Sequence, residues 1–107
     1  MRISVSHTKP KEEIIRAVDR SFTSLFQGLG TPFQLVNPEK NWNGSTMTFS
    51  LMAKMGFVST PITGTVEVTD HDITIDADLG ILERMIPKGR ARDLISNRIR
   101  GLLGRPN

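Results

Sequence analysis

Residues 46–79 read TMTFSLMAKMGFVSTPITGTVEVTDHDITIDADL, three runs in which apolar and polar side chains alternate. In the first, Met47, Phe49, Leu51 and Ala53 share one side of an extended backbone, and Thr46, Thr48 and Ser50 share the other. In the second, Ile62, Gly64, Val66 and Val68 alternate with Thr63, Thr65, Glu67 and Thr69. In the third, Ile73, Ile75, Ala77 and Leu79 alternate with Thr74, Asp76 and Asp78. A period of two marks half-buried strands. The connections are too short to hold a crossover helix, so successive strands must be antiparallel. The stretch predicts a meander with one apolar face, and that face needs a cover.

Two helices supply the cover. Before the meander, Ile15, Val18, Phe22, Leu25 and Leu29 recur at spacings of three and four, with Ile14 and Phe26 widening the stripe. Pro10 suits the start of this helix, Glu12 and Glu13 favour its positive end, and Gly28 and Gly30 are candidate stops. After the meander, Leu79, Leu82, Met85 and Ile86 suit a short helical turn, and Pro87-Lys88-Gly89 interrupts it. Ala91, Leu94, Ile95, Ile99, Leu102 and Leu103 then form a second stripe. The opening residues RISVS alternate as a short strand, and His7 follows them where it could cap or orient the first helix. Residues 30–45 carry Thr31-Pro32, Asn37-Pro38 and Asn43-Gly44, and read mostly as loop and turn, with Phe33 and Leu35 in a short strand.

The expected fold is a single α+β domain over residues 1–107: strand, helix, a meander of three to four antiparallel strands, helix. Both helices lie on one face of a curved sheet, in the manner of a small helix-grip arrangement that can leave a cavity beneath its last helix. One domain also suits a chain of 107 residues, which buries about 65% of its unfolded surface.

One reversal within the meander is unlike the others. NWNGS and TDHD are polar, whereas LMAKMGFVST places Met52, Met55, Phe57 and Val58 around the turn. Three of the five methionines, Met47, Met52 and Met55, lie in or near it, and Met adapts to irregular apolar contacts. The bland reading packs these side chains against the helices. The functional reading makes them a pliable apolar surface.

Charge is concentrated in the last quarter. Residues 79–107 hold Arg84, Lys88, Arg90, Arg92, Arg98, Arg100 and Arg105 against Glu83 and Asp93, a local balance of +5 in a chain whose total is +3. Such a segment is either a solvated helix face or a contact for something anionic. The alternative is a nucleic-acid or regulatory binding module acting through the basic C-terminal helix, but residues 79–107 contain no aromatic side chain for base stacking. There is no cysteine, which excludes disulfides and thiolate chemistry. MRISVSHTKPKEE lacks the apolar stretch of a signal peptide, and no run approaches the roughly 18 apolar residues of a membrane span, so a soluble cytoplasmic protein is expected.

No catalytic or metal motif stands out. His7 and His71 are the only histidines, and Asp70-His71-Asp72 has the polar composition of a plain reversal. DADLG begins like a calcium loop, but Gly80 and Pro87 occupy its fifth and twelfth positions, so the match fails. The glycines follow no phosphate-loop or dinucleotide spacing. A non-enzymatic protein without cofactor is expected. An enzyme would need a cavity that brings His7 beside an acid.

Taken in order, His7-Thr8 before an acidic helix start, WNGSTMTF, GTVEVTDHDITIDADLG and the closing Leu102-Leu103 resemble the small bacterial polyhydroxyalkanoic acid system proteins. Relative to the usual pattern, residues 30–41 and 52–60 are longer and more apolar. Members of that family are encoded near genes for making and packaging polyhydroxyalkanoate, an intracellular storage polyester, and they bring no catalytic residues to carry over. The resemblance implies an accessory role at polyester granules or with an acyl-type ligand, by association rather than by a site. Met52, Met55, Phe57 and Val58 are then the expected apolar contacts, and Arg84, Lys88, Arg90 and Arg92 the expected anionic contacts.

Overall fold

Alternation carries through into five strands of one antiparallel sheet. The computed structural model describes residues 1–26, 34–85 and 89–103. Strand β1 spans Arg2–Ser6, helix α1 Lys11–Phe26, β2 Gln34–Asn43, β3 Thr46–Met55, β4 Val58–Val68 and β5 Asp72–Asp78. A single turn, α2, spans Leu82–Met85, and α3 spans Arg90–Leu102. The sheet order is β1-β5-β4-β3-β2, so β2 to β5 form a four-strand meander and β1 adds to its far edge.

All the predicted inward residues lie on one face. Ile3, Val5, Met47, Phe49, Leu51, Ala53, Ile62, Val66, Val68, Ile73, Ile75 and Ala77 are buried there. The helices close the core from the same side with Ile14, Val18, Phe22 and Leu25 of α1 and Ala91, Ile95 and Ile99 of α3. Leu94, Leu102 and Leu103 pack at its margin, as the second stripe requires. Phe22 meets Phe49 edge to face, with ring centres 5.3 Å apart. Among the described residues no helix covers the opposite face, which is rich in hydroxyls, among them Ser4 and Thr74, whose Oγ atoms are 3.2 Å apart.

Residues 34–43 correct the reading of this region as loop. Gln34 pairs with Lys54 and Asn43 with Thr46, so β2 accompanies β3 along its whole length. The turn signal Asn37-Pro38 is a bulge within the strand: the register shifts between Val36 and Glu39, and Asn37 has φ 54°. Asn tolerates this conformation, and Pro, which has no N–H, is confined to bulges and edge strands. The extra residue flips the alternation, so Leu35 faces the core before the bulge, and Lys40 and Trp42 face it afterwards, opposite Phe49 and Met47. A period-two search misses a strand whose phase changes midway. Phe33, the suggested stops Gly28 and Gly30, and the break at Pro87-Lys88 lie outside the described residues.

Two hairpins share one turn chemistry. Gly44-Ser45 joins β2 to β3 and Gly56-Phe57 joins β3 to β4, each as a two-residue loop. The glycines have φ of 62° and 59°, and the second loop residue has negative φ in both cases, the pattern of a Gly-first primed turn. Asn43 therefore belongs to the strand, one position before the turn.

Gly64 is held by proximity instead. A Cβ there would lie 2.2 Å from the Asp76 carbonyl oxygen and 2.9 Å from Phe49 Cζ, so only hydrogen lets β4, β5 and the Phe49 ring meet.

Candidate functional site

The turn between β3 and β4 marks one end of the molecule. An 11-residue strand such as β4 runs ~36 Å, a length that fits only along the longest dimension of 43 Å. Met55 pairs with Val58 as the last rung of the hairpin, and Phe57 stands beyond it. Phe57 is 108% exposed relative to an isolated reference, so its ring touches essentially nothing. Gly56 takes the left-handed position of the two-residue loop, and Phe57 follows it beyond the last paired rung.

The four residues predicted for apolar contact do not share one surface. Met52 pairs with Pro61 on the helix-free face. Met55 and Val58 fall on the helix side, in phase with the buried Ala53 and Thr60. All three are half-buried, and only Phe57 is fully exposed. Met47 belongs elsewhere, since it is buried at the other end of β3 opposite Trp42 and Val66.

Tertiary structure adds a residue that periodicity did not single out. Beyond β5 the chain turns at Gly80, whose N–H donates to the Asp78 carboxylate at 2.9 Å. The Ile81 N–H then reaches the Thr60 hydroxyl at 3.4 Å. This contact sets Ile81 against β4 three residues from Phe57, a strand distance of ~10 Å. Ile81 is 43% exposed, and it and Phe57 are the large apolar side chains left open among the described residues. No local signal marks Ile81, because its partner Thr60 lies 21 positions away.

The predicted cations divide. Arg84 is exposed on α2, and its N–H donates to the Ile81 carbonyl, so it belongs to the same end as Phe57. Lys54, exposed and paired with Ser59 one rung before the tip, joins it there. Arg90 and Arg92 are exposed at the start of α3, and Lys88 lies outside the described residues. Arg98 donates to the Ser24 carbonyl at 2.6 Å, tying the end of α1 to α3. With 3.6 residues per turn, Arg92, Arg100, Arg90 and Arg98 fan out in even steps around about two thirds of α3, so these arginines form no single stripe along a phosphate backbone.

The histidines act in the scaffold. The His7 N–H donates to the His71 carbonyl at 2.8 Å, and His7 Nε2 lies 2.8 Å from the Thr69 carbonyl. A carbonyl only accepts, so Nε2 carries the proton, and His7 secures the end of β1 to the β4–β5 turn instead of capping α1. Its Nδ1 is buried without a partner. Thr69 completes that turn, its hydroxyl accepting from the N–H groups of His71 and Asp72.

A groove of about 460 Å³ runs between α1 and α3, lined by Ser21, Ser24, Leu25, Arg98, Gly101 and Leu102. Among the described residues its lining includes neither histidine and none of the seven predicted contact residues that are described. Among the described residues no three His, Cys, Asp or Glu side chains gather as metal ligands, and no helix is long and apolar enough to cross a membrane. Fold and tip geometry aside, likeness assigns nothing: no protein-family model matches the chain, and no curated protein or solved structure matches it.

Proposed function

We propose that this is a non-enzymatic accessory protein of polyhydroxyalkanoate storage in the cytoplasm, which holds to the granule surface by the tip of its β3–β4 hairpin. Phe57 is the leading contact, Ile81 the second, and Met52, Met55 and Val58 form the shoulders that follow as the tip enters. Lys54 and Arg84 meet anionic groups at the same surface, and Lys88, Arg90 and Arg92 extend the cationic segment in sequence. The single observation that carries the reading is the exposure of Phe57 on a two-residue turn. A free aromatic ring is not required by turn geometry, since Ser45 serves the same position in the other hairpin. The link to storage polyester rests on the resemblance of the sequence motifs, and the tip supports it by offering apolar contact without a catalytic constellation.

Co-sedimentation with native polyester granules tests the reading. The wild-type protein is expected to pellet with granules, and Phe57→Ser with Met55→Ser is expected to remain largely in solution. Equal pelleting of the double variant would remove the tip from the contact.

A further inference from the structure

We infer that the surface read by the tip is an anionic lipid layer, a phospholipid coat or membrane face, rather than bare polymer or a protein. This inference rests on the function proposed above and names its partner. Its first ground is area. A stable protein interface buries about 1,200–2,000 Å² in all, whereas this tip is the convex end of a hairpin with two open large apolar side chains, Phe57 and Ile81. A soft lipid boundary needs only a few ångströms of apolar insertion to hold such a wedge.

The second ground is charge. Lys54 lies one rung behind the turn, and Arg84 lies one helical turn beyond Ile81; both are exposed. Glu83, the acid next to Arg84 in sequence, has its carboxylate 3.5 Å from the amino group of Met1. Asp78 shares the hydroxyl-rich face with Lys54, but its carboxylate is engaged by the Gly80 N–H at 2.9 Å. Two open apolar side chains thus share this end of the molecule with two exposed cations. Long cationic side chains can remain at the headgroup level while neighbouring apolar groups enter. Neutral polyester offers Lys54 and Arg84 ester carbonyls as acceptors but no opposite charge.

The fold provides its own internal control. Trp42 is the sole tryptophan and is tied to Asp19 at 2.9 Å, near the opposite end of β3 from the tip. The Phe57→Trp variant puts a second indole at the tip. Both proteins are mixed with phosphatidylcholine vesicles with and without ~30 mol% phosphatidylglycerol, each also prepared with brominated acyl chains. Phe57→Trp emission is expected to shift to the blue and be quenched by the brominated anionic vesicles, while wild-type Trp42 emission is unchanged. Phe57→Ser is expected to lower vesicle partition at least about tenfold, and Lys54→Glu with Arg84→Glu to abolish the preference for phosphatidylglycerol. Equal quenching by both vesicle types overturns the assignment to anionic lipid. Pelleting with lipid-free polyester but not with either vesicle overturns the lipid inference and leaves the granule reading standing. Failure on native granules, lipid-free polyester and vesicles alike overturns both.

Discussion

The indole N–H of Trp42 donates to Asp19 Oδ1 at 2.9 Å, joining the edge strand β2 to the outer side of α1. Lys40 reaches the same carboxylate oxygen at 2.9 Å, and its ammonium stands 6.0 Å from the centre of the Phe22 ring. These bonds hold the β2 edge of the sheet against the helix. They exist because the bulge at Asn37-Pro38 turns Lys40 and Trp42 to the core side.

Removing this clasp should loosen the edge without unfolding the domain. Asp19→Asn is expected to cost about 1 kcal/mol in urea unfolding, since Asp19 is partly solvated and water replaces some of what is lost. Hydrogen exchange should rise along β2 more than along β4. A loss above about 3 kcal/mol would place Asp19 in the global core.

The same carboxylate should write a pH dependence. Hydrogen bonds from Lys40 and Trp42 hold Asp19 below the ordinary value of 3.8. A lowered folded-state value means that its contribution to stability is complete above 3.8 and falls away as pH drops through the lower folded value. Wild type should therefore lose part of its stability below pH 3.8 that Asp19→Asn does not lose. Parallel acid profiles for the two proteins would show that the clasp does not couple to folding.

Gly64→Ala should be among the most damaging small changes. The new methyl would meet the Asp76 carbonyl, which β4–β5 pairing holds in place, and the Phe49 ring, which Phe22 braces. Overpacking against backbone predicts a loss of about 3 kcal/mol, read from the denaturation midpoint. Phe49→Leu in the same chain should recover part of it, because the shorter side chain removes one of the two clashes.

His7→Ala should weaken the junction of β1 with the β4–β5 turn. It leaves the Thr69 carbonyl without its partner and costs roughly 1–3 kcal/mol. Amide exchange at residues 69–72 is the sensitive measurement, and unchanged protection there would deny His7 this role.

Phe57 and Ile62 provide the opposing pair. Ile62 is fully buried, and Ile62→Ala is expected to cost 2–5 kcal/mol. Phe57→Ser should leave the denaturation midpoint within about 0.5 kcal/mol of wild type. A large loss at Phe57 would mean that its ring packs in solution, and the tip would cease to be an open contact.

Amino-acid order alone determined the meander, the two amphipathic helices and the face they share. In each of these the chemistry repeats with the period of the backbone, and burial acts on every second or every third and fourth residue. It also marked the β3–β4 turn as unlike its polar counterparts, because Phe57 stands where Ser45 stands in the other hairpin. Tertiary structure decided what periodicity cannot encode. A bulge changed the phase of β2 and hid a ten-residue strand behind a loop signature. Strand parity sent Met52 to one face and Met55 and Val58 to the other, leaving Phe57 alone at the end. A hydrogen bond between residues 21 positions apart brought Ile81 to the same end as Phe57. Register, parity and distant pairing are properties of chains brought together in space, and so the site took its shape only when the sheet closed.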